Sequence, residues 1–278
     1  MVDLHCHSRY SDGSLTIEEI LKLAEKSDID VLAITDHDTV DGIEHFVNTD
    51  SNVQKVAGVE ISVDWDKGTF HLVGLFIDHK NTKLRETLDK LKHFRRERNI
   101  NLIKNLSELL GREVKLEEIS DENYGELGRP HIAKFMVKEG VVKSIDEAFE
   151  KYLAKGKPLY VPKSRLSLEE SISLINSAGG VSVIAHPITI ITEDLDSFFT
   201  KMKDIGVDAV EAYCSLHSEN DAKKYLSIAE RYGFLVSMGS DFHGDNKKEV
   251  FLGKHGCNKE DAYRYYNKLK EYHESKFL

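Results

Sequence analysis

The chain has 278 residues, 40% of them hydrophobic, enough for one large core or one core plus an inserted module. No apolar run reaches transmembrane length and Met1-Val2-Asp3-Leu4-His5 lacks a signal peptide's basic-then-apolar opening. The three distant cysteines (Cys6, Cys214, Cys257) suggest neither a disulfide framework nor a zinc ribbon, so a cytoplasmic protein with no membrane partner is expected. A formal charge of −10, from 38 basic and 48 acidic residues, argues against broad affinity for duplex DNA, while cations bound by those carboxylates would leave a phosphate substrate open.

The chain opens on a predicted strand from Val2 to His7, whose alternation puts His5 and His7 on one face and Cys6 on the other. Two converging imidazoles suit a metal, although His-x-His alone is also found by accident on surface strands. Ser11-Asp12-Gly13 is turn chemistry, and Thr16-Ile17-Glu18-Glu19 reads as the capped start of a helix. Val31 to Thr35 is a buried strand running into Asp36-His37-Asp38; Thr39 to Phe46 is a short helix; Lys55 to Ile61 is a strand with Glu60 near its end; and Thr69 to Ile77 is a strand carrying His71. Strand and helix in alternation, with histidine or carboxylate at strand ends, is how a (β/α) barrel builds a site on one face.

From Thr82 the texture changes. Leu84, Leu88, Leu91, Leu102, Ile103, Leu106 and Leu110 recur at helical spacing through a charged stretch, with breaks at Gly111, Gly125 to Pro130 and Gly140. No convincing buried strand appears before Tyr160, so residues 82–164 read as a helical insertion between barrel segments 1–81 and 165–278. Within it, Arg95, Arg96 and Arg98 read as a solvated helix face. Barrel rhythm then resumes: a helix from Ser167, a strand from Val181 ending in His186-Pro187, a helix to Ile205, a strand from Val207 to Tyr213, a helix to Tyr232, a strand from Phe234 to Met238 ending in Ser240-Asp241-Phe242-His243, and a final helix from Lys259. The total is about seven strands. His5, His7, Asp12, His37, Glu60, His71, His186, Asp241 and His243 all fall at or near strand ends on one predicted face, a mixture suited to a cluster of borderline cations with positions open to water.

These motifs, with Thr35-Asp36-His37-Asp38 and Ala185-His186-Pro187, resemble those of the polymerase and histidinol phosphatase (PHP) family, in that family's order along nearly the whole chain. The resemblance implies an α/β fold, a distorted seven-stranded (β/α) TIM-like barrel, with a trinuclear centre of Mn2+, Fe2+ or Zn2+. It implies one metal held by His5, His7, Glu60 and Asp241, a second reached through Glu60 with His71 and His186, and a third held by Asp12, His37 and His243. Asp36 is a candidate to orient a ligand or donate a proton, with capping of the following helix as the other reading.

Gly128-Arg129-Pro130-His131, Ala148-Phe149 and Tyr160-Val161-Pro162-Lys163 are similar to the PHP subgroup that contains nucleoside 3′,5′-bisphosphate phosphatases, with relatives that trim RNA from a 5′ end or dephosphorylate AMP. That subgroup often has Gly and a basic residue after Ala-His-Pro, where this chain has Ile188-Thr189-Ile190. The expected activity is metal-activated hydrolysis of a phosphomonoester, foremost the 3′-phosphate of a nucleoside bisphosphate or short RNA ends. Arg129, His131 and Lys163 are the candidate substrate contacts; an ordinary surface ion pair is the alternative for Arg129. An AMP or histidinol-phosphate phosphatase is the alternative enzyme, and a silent metal-binding scaffold the alternative from another class; the scaffold predicts lost ligands, and none of the nine is lost.

Overall fold

The structure, a computed structural model, describes residues 1–119, 127–162 and 164–277. It divides into two compact units, one formed by Met1–Leu88 with Arg165–Leu278 and the other by Asp89–Ser164.

The first unit is a seven-stranded barrel with strands in chain order: β1 (Val2–Asp3), β2 (Val31–Ile34), β3 (Gln54–Ser62), β4 (His71–Leu75), β5 (Val181–Ile184), β6 (Ala209–Cys214) and β7 (Leu235–Gly239). The chain closes between β7 and β1, where Leu4 N–H donates to the Met238 carbonyl at 3.0 Å and Asp241 N–H to the His5 carbonyl at 2.9 Å. Gly239 permits that seam, since a Cβ there would stand 2.2 Å from the Cβ of His5. Around the barrel run α1 (Ile17–Lys26), α2 (Ile43–Asn48) and the start of α3 (Thr82–Leu110). The capping box of α1 is present: Thr16 accepts from Glu19 N–H, and Glu19 accepts from Thr16 N–H.

Two features depart from a plain β/α rhythm. The regular part of β1 is only Val2–Asp3, after which the chain continues as bridged backbone, with Cys6 against Phe242 and Thr35 N–H donating to the Cys6 carbonyl. Strand β4 runs antiparallel to both neighbours, pairing Ser62 with His71 and Leu72 with Ile184, and no helix separates it from β3. Its reversal brings its first residue, His71, to the end where the parallel strands finish. The two-residue period then does the aiming: Val56 leads to Glu60 on β3, Leu75 and Val73 lead to His71 on β4, and Ala209 leads to Glu211 on β6, each on one face of its strand. Those small apolar residues join Val31, Ala33, Val181 and Val183 in a core that also takes Ala262, Tyr266 and Leu269 of the last helix.

The second unit contains, among the described residues, the rest of α3, then α4 (Leu116–Ile119), α5 (Arg129–Lys138), α6 (Ile145–Ala148) and one π turn over Phe149–Leu153. Its own core gathers Leu102, Leu106, Ile132, Phe135, Met136 and Leu153. Arg98 is not on a solvated face: it is buried, and its guanidinium donates to Asn99 Oδ1 and the Leu127 carbonyl. The first unit is completed by α7 (Leu168–Ser177), α8 (Leu195–Asp204), α9 (Glu219–Tyr232) and α10 (Lys259–Phe277).

Candidate metal centre

All nine histidines and carboxylates singled out at strand ends lie in the first unit and meet one another. Glu60 is central and fully buried. Its Oε1 lies 2.9 Å from His71 Nδ1 and 2.9 Å from His186 Nε2; its Oε2 lies 3.0 Å from His37 Nδ1, 3.1 Å from His7 Nε2 and 3.3 Å from His5 Nε2. Asp241 Oδ1 stands 3.3 Å from His7 Nε2 and 3.6 Å from His5 Nε2. Asp12, whose side chain is 53% exposed and so belongs to the rim, approaches His243 Nε2 at 3.3 Å, His7 Nδ1 at 3.5 Å and His37 Nε2 at 3.7 Å.

Three sets of ligand atoms fall within 4.8 Å of one another: His5, His7, Glu60 and Asp241; His7, Asp12, His37 and His243; and His37, Glu60 and His71. Relative to the partition implied by the resemblance, His7 and His37 each belong to two sets, since each imidazole stands between two carboxylates, while His186 belongs to none of the three and meets Glu60 Oε1 at 2.9 Å, with His37 in its place beside Glu60 and His71. Four buried atoms at this junction, His5 Nε2, His7 Nε2, His37 Nδ1 and Glu60 Oε2, make no hydrogen bond among the described residues. The three nitrogens face Glu60 Oε2 at 3.0 to 3.3 Å without hydrogen-bonding geometry, which is costly inside a protein, and a cation among them would satisfy all four. The donor set of imidazole and carboxylate therefore fits divalent metal ions.

The electrostatics agree. Burial pushes the Glu60 carboxyl up, but the imidazoles of His37, His71 and His5 outweigh it and hold the group well below the usual carboxylate range. Burial would likewise lower His7, yet the Asp241 and Glu60 carboxylates facing it raise it to about 9. Burial prevails at His37, which falls to about 3. Without a cation, negative charge at this centre draws protons onto some imidazoles.

Backbone and neighbours fix the aim of each ligand. Asp241 and His186 have φ of 56° and 26°, a left-handed conformation that side chains other than glycine adopt at a cost and that clusters at functional sites. His243 Nδ1–H donates to the Asp241 carbonyl at 2.8 Å, which leaves Nε2 toward Asp12. The turn bearing Asp12 is held from Asp36, which accepts from Ser8 N–H at 2.7 Å, Ser8 Oγ–H at 2.6 Å and Ser11 Oγ–H at 2.6 Å. Asp36 thus grips the preceding turn instead of capping the following helix. The turn also requires Gly13, where a Cβ would lie 2.3 Å from the His7 carbonyl oxygen.

Two residues of this neighbourhood were not anticipated. Glu211 on β6 is 3.0 Å from His5 Nδ1, and Lys247 pairs with Asp241 Oδ2 at 2.7 Å. A carboxylate one period beyond Ala209 was a readable signal for Glu211; Lys247, in a run of charged residues after His243, carried none. Thr189, where the PHP subgroup often has other residues, stands 3.1 Å from His186 Nδ1 through its hydroxyl.

The candidate substrate contacts belong to the second unit. The Arg129 guanidinium lies 5.8 Å from the ring centres of both Phe149 and Tyr160 and donates to the Leu153 carbonyl at 3.2 Å. It lies over aromatic rings and makes no ion pair among the described residues. His131 Nδ1 accepts from Gly128 N–H at 3.0 Å at the start of α5. Lys163 lies outside the described residues. No helix is long and apolar enough to cross a membrane among the described residues.

Comparison with known proteins agrees with this chemistry. The PHP domain matches residues 3–161. A 3′,5′-nucleoside bisphosphate phosphatase of Chromobacterium violaceum is 33% identical over 264 residues, 90% of each chain. The 5′-3′ exoribonuclease Rnm of Escherichia coli is 32% identical over 249 residues, covering 87% of this chain and 84% of that one. A solved structure of an amidohydrolase from Chromobacterium violaceum, with bound sulfate and no metal, superposes with a TM-score of 0.75 at 32% identity over 100% of this chain and 97% of that one.

Proposed function

The chain belongs to the PHP domain family and is a metal-dependent phosphoesterase, and from that premise we propose that it removes the 3′-phosphate from nucleoside 3′,5′-bisphosphates and acts on the 5′ ends of short RNA. The observation that carries the hydrolytic reading is the junction at Glu60, where four buried ligand atoms have no hydrogen-bond partner among the described residues. The substrate reading is supported by relatives of about one-third identity named for a bisphosphate phosphatase and an exoribonuclease.

Bound at this centre, three divalent ions, Mn2+, Fe2+ or Zn2+, would supply an acidified water and neutralise the phosphate oxygens. His5, His7, His37, His71, His186, His243, Glu60 and Asp241 would hold them from within, and Asp12, the exposed member of the set, from the rim. Asp36 keeps Asp12 in place through Ser8 and Ser11, so it acts on the geometry of the centre. Arg129, preorganised by its two aromatic neighbours, would bind the substrate's second phosphate with His131 and Lys163.

The test is phosphate release in the presence of Mn2+ from adenosine 3′,5′-bisphosphate, AMP, a short 5′-phosphorylated RNA and histidinol phosphate at matched concentrations. Preference for the bisphosphate or the RNA supports the proposal. Preference for AMP or histidinol phosphate would retain the hydrolytic chemistry and refute the substrate.

A further inference from the structure

Glu211 sits on β6 and is 2% exposed. Its two oxygens serve two different strands' worth of ligands. Oε1 lies 3.0 Å from His5 Nδ1, beyond β7 on the continuation of β1, and Oε2 accepts the backbone N–H of His186 at 2.7 Å, just past β5. A buried carboxylate has acceptor sites only, so the nitrogen of His5 that faces it must carry the proton. In a neutral imidazole that choice leaves Nε2 with its lone pair, and Nε2 is the atom that faces Glu60 at 3.3 Å and Asp241 at 3.6 Å. At the other oxygen, the accepted N–H belongs to a residue with φ 26° and ψ 63°, a conformation its own chain does not favour.

We propose that Glu211 is a positioning residue of the metal centre: it selects the metal-ready tautomer of His5 and pins the strained backbone that presents His186 to Glu60. The inference rests on reading the cluster as a metal centre. It differs from a role in barrel stability, because any well-packed pair could brace β6 against β1, whereas only an acceptor-only group dictates where the proton of His5 resides.

The amide variant separates the two. In Glu211→Gln the His186 N–H claims the amide oxygen, the NH2 group turns to His5 Nδ1, and the proton of His5 must move to Nε2, where it blocks ligation. The experiment strips the purified full chain of metal with a chelator and titrates it with Mn2+ and Zn2+ against a competing indicator, alongside the melting temperature of the metal-free form. The expected result is that wild type binds, that Glu211→Gln binds about 10- to 100-fold more weakly, and that the two metal-free forms melt together. In a His5→Gln background, where no imidazole tautomer is left to select, the cost of Glu211→Gln should shrink. If Glu211→Gln is not obtained folded, Glu211→Asp and Glu211→Asn, equal in size and different only in donor character, repeat the comparison, with Asn expected to be the weaker binder.

Wild type binding metal while the amide variants bind within twofold of their carboxylate counterparts would overturn the inference and leave the metal reading intact. Wild type binding neither ion would overturn that reading and this inference with it.

Discussion

At Glu60 one carboxylate faces five imidazoles at 3.3 Å or less. The charges around it set the pH behaviour of metal loading. In the metal-free protein His7 is raised to about 9 from an ordinary value near 6.5. Its contribution to metal-free stability, on the order of 3 kcal/mol, is therefore fully present below pH 6.5 and is lost as pH rises through about 9. Metal must displace that proton, so affinity for Mn2+ should climb between pH 6.5 and 9 while the metal-free melting temperature declines; paired titrations and melts across that range check both. Asp12→Ala and His243→Ala should each lower turnover by at least ~100-fold, beyond the usual cost of losing a group that only orients a ligand. Arg129→Ala should instead raise KM about tenfold with kcat little changed, the pattern of lost binding; equal effects in all three would contradict this division of roles. The nine candidates stood out in the sequence because most are histidines or carboxylates next to an apolar run where a barrel exposes its strand ends, and Asp12 lies in the turn that follows the first of these. Glu211 carried a signal, a carboxylate one period beyond Ala209, but Asp208 in the same run of Val207 to Tyr213 competes with it, so alternation alone did not single it out. Arg98 misled in the opposite direction: in a run of four charged residues nothing marks the one whose donors are taken by Asn99 and the Leu127 carbonyl.

Among the elements, β4 decides where the site can be. Had it run parallel, His71 would open the strand at the far end of the barrel, away from Glu60; reversed, it pairs with Ser62 and reaches Glu60 at 2.9 Å. Its direction could not be read beforehand, because alternation of side chains is the same in either sense. The seam between β7 and β1 is equally demanding. Gly239→Ala would drive a Cβ into His5, so the variant should lose about 3 kcal/mol or more of stability and bind metal poorly. Thermal unfolding of the metal-free variant, with metal content measured after loading, tests this; wild-type values for both would show that the seam yields without harm.

For the whole molecule, all nine candidate ligands lie in the unit formed by Met1–Leu88 and Arg165–Leu278, and the core of the other unit is built from its own helices. Hydrogen exchange with and without Mn2+ should thus show protection concentrated in the bridged segments around Cys6, His37 and Phe242, with amides of α5 unchanged. Equal protection in both units would mean that the metal stabilises more than its own centre. The helical character of the second unit was readable from the spacing of its leucines.

The closing seam also bears on how the protein is made. His5 and His7 leave the ribosome more than two hundred residues before Asp241 and His243, yet Asp241 faces both of these histidines across the β1–β7 junction. Until that last strand emerges, the nascent chain has donors without a complete cage, and ions that meet it can be held only by partial sets. The set of His37, Glu60 and His71 is available early, but the two sets that need Asp241 or His243 are completed only after β7, so a full complement of ions reports that translation has passed it.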